Sequence, residues 1–425
     1  MADLIPIRGI RYGPPAGDLG TLVAPPYDVV SSEDLDAWLA RNPFNSLRLE
    51  RPVNAAGGYE AAAATLAAWL DDGVLLRDAQ PMFYIYEQTF RDRGRDLSRR
   101  CLLAGVEAQP WESGAVKPHE YTMSGPKEDR LHLLEACGAQ FSPLLMVARD
   151  RSGGMREFIA RSTMRTPDQE GTQGEETHRL WAIPADSANR RLLAPLATES
   201  FYIADGHHRY ETGVHFKDRK LETNPDLDPL DPARFVLAGL VALDDPGLLI
   251  RPTHRVVPRK PPDGWREVVG RVFDVEESRG DGDEGTVAQR LLDEHPKGIV
   301  AAGLESGLFH VLTVRDPEAV AALAPGGHST LWANLQPNVI SYALLKPLWG
   351  IDDDALRAGA VEYTHDEGYS VSRLREGPGA VAFLNHAVAM DEVITLADRG
   401  ERLPQKSTFF HPKLGTGLVF YSLRD

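Results

Sequence analysis

The chain has 425 residues, 42% apolar and 25% charged, which excludes general disorder and a single small core and suits two or three packed units. Its 46 basic and 62 acidic residues leave a net charge of −16. That balance argues against a general nucleic-acid binder and against docking to anionic lipid, while a small anion in one focused pocket stays open.

Residues 1–30 read as short strands broken by Pro and Gly, because in Ala24-Pro25-Pro26-Tyr27-Asp28-Val29-Val30 each proline pushes its predecessor into extended geometry. Ser31-Ser32-Glu33-Asp34 opens a helix to about Arg41, with a serine cap and early acids. Tyr59–Asp72 is an Ala-rich helix. Pro81–Gln88 and Arg99–Val106 are strands flanking a charged turn at Arg91–Arg95, which predicts a hairpin. Leu131–Cys137 is a short helix, Ser142–Ala148 a strand, and residues 163–177 a polar loop. Phe201–Ala204 is a strand and His207–Asp218 a helix, followed by a Pro/Asp-rich connection, Asn224–Arg234, and a buried strand, Phe235–Leu243. Residues 258–330 alternate helix and strand, with a loop at Gly280–Gly285. Helices at Val339–Leu345 and Asp391–Asp398 and a last strand, Leu418–Leu423, complete the chain.

The fold class is therefore α+β (mixed α/β), with 1–225 as one α+β domain and 226–425 as a second. Cys101 and Cys137 form no Cys-x-x-Cys pair, so no thiolate zinc site or disulfide framework is expected. The first residues carry no basic n-region or apolar h-region, and no uncharged apolar run reaches the roughly 20 residues that span a bilayer. A soluble, cytoplasmic protein without nucleic-acid or membrane partners is the expectation; the oligomeric state is open.

The strongest chemical signal is Asp205-Gly206-His207-His208-Arg209, where an apolar strand ends at an acid, a glycine turns, and a helix opens with two histidines and an arginine. Helix N-termini offer unpaired N–H groups and positive partial charge to phosphate, and arginine adds a bidentate grip. Asp205 is a candidate for Mg²⁺ or for a hydroxyl proton. His207 and His208 face roughly 100° apart on a helix, so both serve one site only if it wraps the helix end.

A second segment, Lys117-Pro118-His119-Glu120-Tyr121-Thr122 with Lys127 and Arg130 following, has the make-up of a lid or phosphate-contacting loop. It lacks the second histidine of an HExxH zinc motif. A third, Lys406-Ser407-Thr408 with Lys413 and Gly415-Thr416-Gly417, has lysines and hydroxyls to clamp phosphates but no Walker A spacing. Asp28, Glu33 and Glu50 are candidate general bases, and Pro252-Thr253-His254-Arg255 is a weaker polar cluster. No G-x-S-x-G elbow is present, and the three acids in Gly280-Asp281-Gly282-Asp283-Glu284-Gly285 argue against a dinucleotide site.

Taken in order, Ala24-Pro-Pro-Tyr-Asp-Val-Val, Lys117-Pro-His-Glu, Lys127-x-Asp-Arg, Ala204-Asp-Gly-His-His-Arg-Tyr-Glu-Thr, Pro252-Thr-His-Arg and Pro404-x-Lys-Ser-Thr-x-Phe-x-Pro-Lys resemble the bacterial and archaeal family DUF1015 over nearly the full length. Asp205-Gly-His-His-Arg also resembles the signature of the ParB/sulfiredoxin superfamily, in particular its free serine kinases. That resemblance implies a ParB/sulfiredoxin-like core around the motif, with large insertions, and a nucleotide-dependent phosphotransferase acting on a small hydroxyl-bearing metabolite, free serine first among them. It also implies ATP or ADP with Mg²⁺. Asp205 would lie beside acceptor or metal, His207, His208 and Arg209 would hold phosphates, and Glu33 would be the acid of an N-terminal element. Gly206, His119, Thr122, Lys127, Arg130, Lys406, Ser407, Thr408 and Lys413 complete the expected nucleotide contacts, with Glu120 a further catalytic candidate. A nucleotide-bound regulatory or scaffold module and a metal-dependent hydrolase using His119, Asp205, His207 and His208 are the alternatives. The sulfiredoxin form Gly-Cys-His-Arg is absent, which disfavours sulfinic acid reduction.

Overall fold

Alternating buried positions along the strands decide the architecture. In the computed structural model, residues 2–52, 58–122, 125–280, 282–375 and 379–424 are described, those at 125 and 126 by backbone alone. Met123 and Ser124 of the second motif and Asp281 of the Gly280–Gly285 segment lie outside them. The chain divides into two compact units: Met1–Pro118, Thr122–Leu249 and Pro412–Asp425 form the first, and His119–Tyr121 with Ile250–His411 the second.

The first unit is built on a nine-stranded mixed sheet, in the order Val116–Lys117, Phe201–Asp205, Leu144–Ala148, Phe235–Ala242, Arg95–Glu107, Met82–Asp92, Glu176–Pro184 and Gln169–Gln173, with Leu4–Ile5 also paired to Arg95–Glu107. The expected hairpin closes at Asp92↔Arg95. One face buries Leu102, Ala104, Leu144, Met146, Ala238 and Leu240, every second residue of neighbouring strands, as the two-residue side-chain period requires. A four-stranded sheet, Leu75–Arg77, Gly9–Tyr12, Phe420–Ser422 and Ala139–Gln140, joins the two ends of the chain.

The second unit carries an antiparallel six-stranded sheet with buried side chains on both faces. Val257, Ile299, Ala301, Leu312 and Phe383 point into one core, and Val256, Val300, Ala302, Val311 and Ala382 into the other. No helix among the described residues is long and apolar enough to cross a membrane.

Three features differ from the sequence-based expectation. The polar stretch 163–177 contains a strand, Gln169–Gln173, because a turn lets its backbone pair with Glu176–Pro184; polarity alone had suggested a loop. The helix expected at Val339–Leu345 is a π-helical stretch over Ile340–Leu345 with every residue buried. The domain boundary expected at 225/226 falls after Leu249, since Phe235–Ala242 hydrogen-bonds between Arg95–Glu107 and Leu144–Ala148 in the interior of the large sheet.

Candidate functional site

The strand Phe201–Asp205 shifts register against Leu144–Ala148 between Ile203 and Asp205. Such an irregularity re-aims a side chain at a strand end. Gly206 follows at φ 94°, and the 17-residue helix His207–Thr223 begins. A Cβ on Gly206 would lie 2.6 Å from Leu144 Cδ2 and 3.0 Å from Arg209 Cζ, so the turn excludes side chains on both backbone and spatial grounds. We expect Gly206→Ala to lose about 1–3 kcal/mol of stability, read by denaturant unfolding. A loss below about 0.5 kcal/mol, the scale of an ordinary surface substitution, would show that the turn is not held in this conformation.

Asp205 sits between two cations. Arg209 Nη2 donates to Asp205 Oδ2 at 2.7 Å, and Lys413 Nζ is ion-paired with Oδ1. Arg209 Nη1 donates to the Pro143 carbonyl at 2.7 Å, which fixes the guanidinium. Burial pushes the Asp205 carboxyl up, but Lys413 and Arg209, with His207 beside them, pull harder and hold it well below the ordinary aspartate value. His208 moves down, first through burial, with Glu211 opposing, so it is neutral near pH 7.

Glu50 ends the short helix Leu47–Glu50 and is 3% exposed. Its Oε1 lies 3.7 Å from Arg130 Nη1, which also donates to the Glu50 carbonyl at 2.8 Å. Its Oε2 has no hydrogen-bond partner among the described residues. Burial raises this carboxyl; Arg130, Arg209 and the Ser142 hydroxyl oppose the rise and Asp28 adds to it. A cavity of about 50 Å³ is lined by Glu50, Arg130, Ser142, Arg209 and Thr212 over an apolar floor of Leu133, Phe141 and Leu144. Arg130 also lines a wider cleft of about 880 Å³ with Tyr27, Arg51, Tyr59 and Asp129, its guanidinium 4.0 Å from the Tyr27 ring centroid.

Glu211, in the third position after the two histidines, gathers the second motif. It is ion-paired with Lys127 and accepts from Thr122 Oγ1 at 2.8 Å and Trp111 Nε1 at 3.1 Å. Asp205, Gly206, His207, His208, Arg209, Thr122, Lys127, Arg130 and Lys413 thus all belong to the first unit. His119, Glu120, Lys406, Ser407 and Thr408 belong to the second. There Thr408 Oγ1 lies 2.8 Å from His119 Nε2 and donates to Glu120 Oε1 at 2.9 Å, while the Thr408 amide donates to the same oxygen at 3.0 Å. Ser407 Oγ donates to the Pro404 carbonyl, and Lys406 is exposed. Of the weaker cluster, His254 and Arg255 are buried in the second unit.

Glu33 is exposed on the turn before Leu35–Ala40. Only six residues form that helix, because Ser31 Oγ bonds the Asp34 carboxylate and holds a turn ahead of it. The buried acid facing Arg209 is instead Glu50, whose sequence signal was no more than an acid near an element end.

The expected magnesium ligand finds little room. Both Asp205 oxygens are committed to cations, and among the described residues no group of three or more His, Cys, Asp and Glu side chains could hold a metal ion. These donors do not fit a protein-built magnesium site, nor the ligand set of a metal-dependent hydrolase.

The structure is thus that of a mixed α+β protein with a cationic, helix-start site beside a buried carboxyl. The chain belongs to the family described as "Protein of unknown function (DUF1015)", whose model matches residues 4–336. No curated protein is significantly similar to it in sequence. Among solved structures, a free serine kinase variant in complex with ADP is similar at 14% identity and a TM-score of 0.34, covering 75% of this chain and 92% of that chain. SbnI with C-terminal truncation, from Staphylococcus aureus, is similar at 12% identity and a TM-score of 0.36, covering 76% and 89%. A conserved hypothetical protein from Pyrococcus furiosus is similar at 14% identity and a TM-score of 0.30, covering 75% and 95%.

Proposed function

We propose that the protein is a nucleotide-dependent phosphotransferase acting on a small hydroxyl-bearing metabolite, with free serine the first acceptor to test and ATP or ADP the donor. The observation that carries this is the pairing of two different charge environments in the first unit. Arg209 and Lys413 meet at the start of the helix His207–Thr223, and a buried carboxyl, Glu50, one oxygen of which has no hydrogen-bond partner among the described residues, faces Arg209 across a small cavity. Phosphoryl transfer asks a protein mainly for positioning and charge neutralisation. The helix N–H groups, Arg209 and Lys413 would take the phosphates, and Asp205 would keep the two cations aligned until phosphate displaces it. The wider cleft at Tyr27 and Arg130 has the size for the rest of a nucleotide. In the reaction the acceptor oxygen forms a bond to the terminal phosphorus as the bond to the bridging oxygen breaks. The nucleotide leaves one phosphate shorter, and the hydroxyl proton passes to Glu50 Oε2. The raised proton affinity of Glu50 suits that step. The ParB/sulfiredoxin kinship suggested by the motif is part of this proposal.

The test is a transfer screen. Protein is incubated with ATP, ADP or CTP, Mg²⁺ and a panel of amino acids and small hydroxyl compounds, and products are read by mass spectrometry. A phosphorylated acceptor is the expected result. Nucleotide binding without any product would replace the reading by a regulatory module, and no binding would remove it.

A further inference from the structure

The backbone around Lys413, whose ammonium pairs with Asp205, is held from behind by two side chains of the large sheet. Arg99 is fully buried, at 0% exposure, in the strand Arg95–Glu107. Its cross-strand partner is Gln88. Arg99 Nη2 donates at 2.7 Å both to Gln88 Oε1 and to the Pro412 carbonyl. Gln88 Nε2 donates to the next carbonyl, that of Lys413, at 3.1 Å, and to Glu176 Oε2 at 2.7 Å. Two successive peptide carbonyls are thereby fixed, and with them the direction in which the Lys413 side chain leaves the chain.

The energetics make a purely structural explanation expensive. Arg99 Nε and Nη1 have no hydrogen-bond partner among the described residues, and Asp245 acts on the charge only through space. A buried, incompletely partnered guanidinium costs several kcal/mol, and an apolar side chain of similar volume would fill the strand position more cheaply. What an apolar residue cannot do is donate to a carbonyl oxygen and a glutamine at once. Below Lys413 the segment continues with Leu414 packed on Gly239 and the Ser46 hydroxyl donating to the Thr416 carbonyl at 3.1 Å; neither contact orients Lys413.

We infer that Arg99 and Gln88 are positioning residues that set Lys413 on Asp205 and so complete the cationic pair of the phosphate site. This rests on the phosphotransferase reading for its purpose but not for its test. The test is competitive amine acetylation of the intact protein across pH 6–10, with each lysine quantified by peptide mass spectrometry. In the wild-type protein, Lys413 should label slowly. In Arg99→Met it should label at least tenfold faster, while Lys127, paired with Glu211, and Lys217, donating to the Ala108 carbonyl, keep wild-type rates. Unchanged Lys413 labelling, or uniform acceleration of all three lysines, would overturn the inference. If Arg99→Met does not fold, Gln88→Met decides in the same way, since it removes only the bond to the Lys413 carbonyl and its companions at the glutamine amide. A protein that transfers no phosphate but shows the selective Lys413 response leaves this inference standing and the proposed function refuted.

Discussion

Glu50→Gln is expected to lower phosphoryl-transfer kcat by about 10²–10⁴-fold, the range of a lost general base, while leaving nucleotide affinity within a few-fold. The same substitution should make the protein more stable, and this sets it apart from ordinary core damage. Burial raises the carboxyl's proton affinity in the folded protein. Below the unfolded value, roughly pH 4.3, Glu50 is protonated in both states and costs nothing. As the pH rises toward the raised folded value, the unfolded chain releases a proton that the folded one keeps, so wild-type stability falls relative to the glutamine variant. The advantage of Glu50→Gln grows through that window and then levels off. Thermal unfolding at pH 4 and pH 8, with kcat measured at the higher pH, tests both parts. A variant that is less stable at pH 8 would mean that Glu50 is a structural ion-pair partner of Arg130. A variant with full kcat would remove it as the base.

Asp205→Asn has the opposite profile. The aspartate compensates Arg209 and Lys413 with only 14% of its side chain exposed, and breaking one side of such a buried cluster costs about 3–5 kcal/mol. Because the folded carboxyl titrates below its ordinary value, its contribution is present above roughly pH 3.9 and is lost as the pH falls through the folded value. The gap between wild type and variant therefore closes in acid. The variant also leaves two cations at the helix start without their carboxylate. Phosphate should raise its unfolding temperature more than it raises that of the wild type, nucleotide binding should persist, and turnover should vanish through misalignment of the two cations. Calorimetric scans with and without inorganic phosphate, at pH 7 and pH 3.5, measure this. Equal phosphate stabilisation of both proteins would count against a phosphate site at Asp205, and retained turnover would count against any role for it in transfer.

Much of the local structure was legible in the sequence because it depends on short-range physics. An apolar run ending in Asp205-Gly206 has few alternatives to a strand, a positive-φ turn and a helix start, and the hairpin about Arg91–Arg95 follows from two apolar runs around a charged turn. The ion pair between Asp205 and Arg209 was not legible in this way, since it joins the end of a strand to the first turn of a helix across the Gly206 turn. The strand Gln169–Gln173 was not legible, since its stability comes from pairing with Glu176–Pro184 and not from its own side chains.

What the tertiary structure alone decided is which distant residues share the site. Lys413 is 208 positions from Asp205, and it arrives there because the last residues of the chain return to the first unit and pair in its four-stranded sheet. Glu33 and Glu50 are equivalent as letters. Only burial, an Oε2 without a hydrogen-bond partner among the described residues and two nearby guanidinium groups distinguish Glu50, and these are properties of packing. Local periodicity carries information over a few residues, whereas a buried charge acquires its partners, and so its chemistry, from the closure of the whole fold.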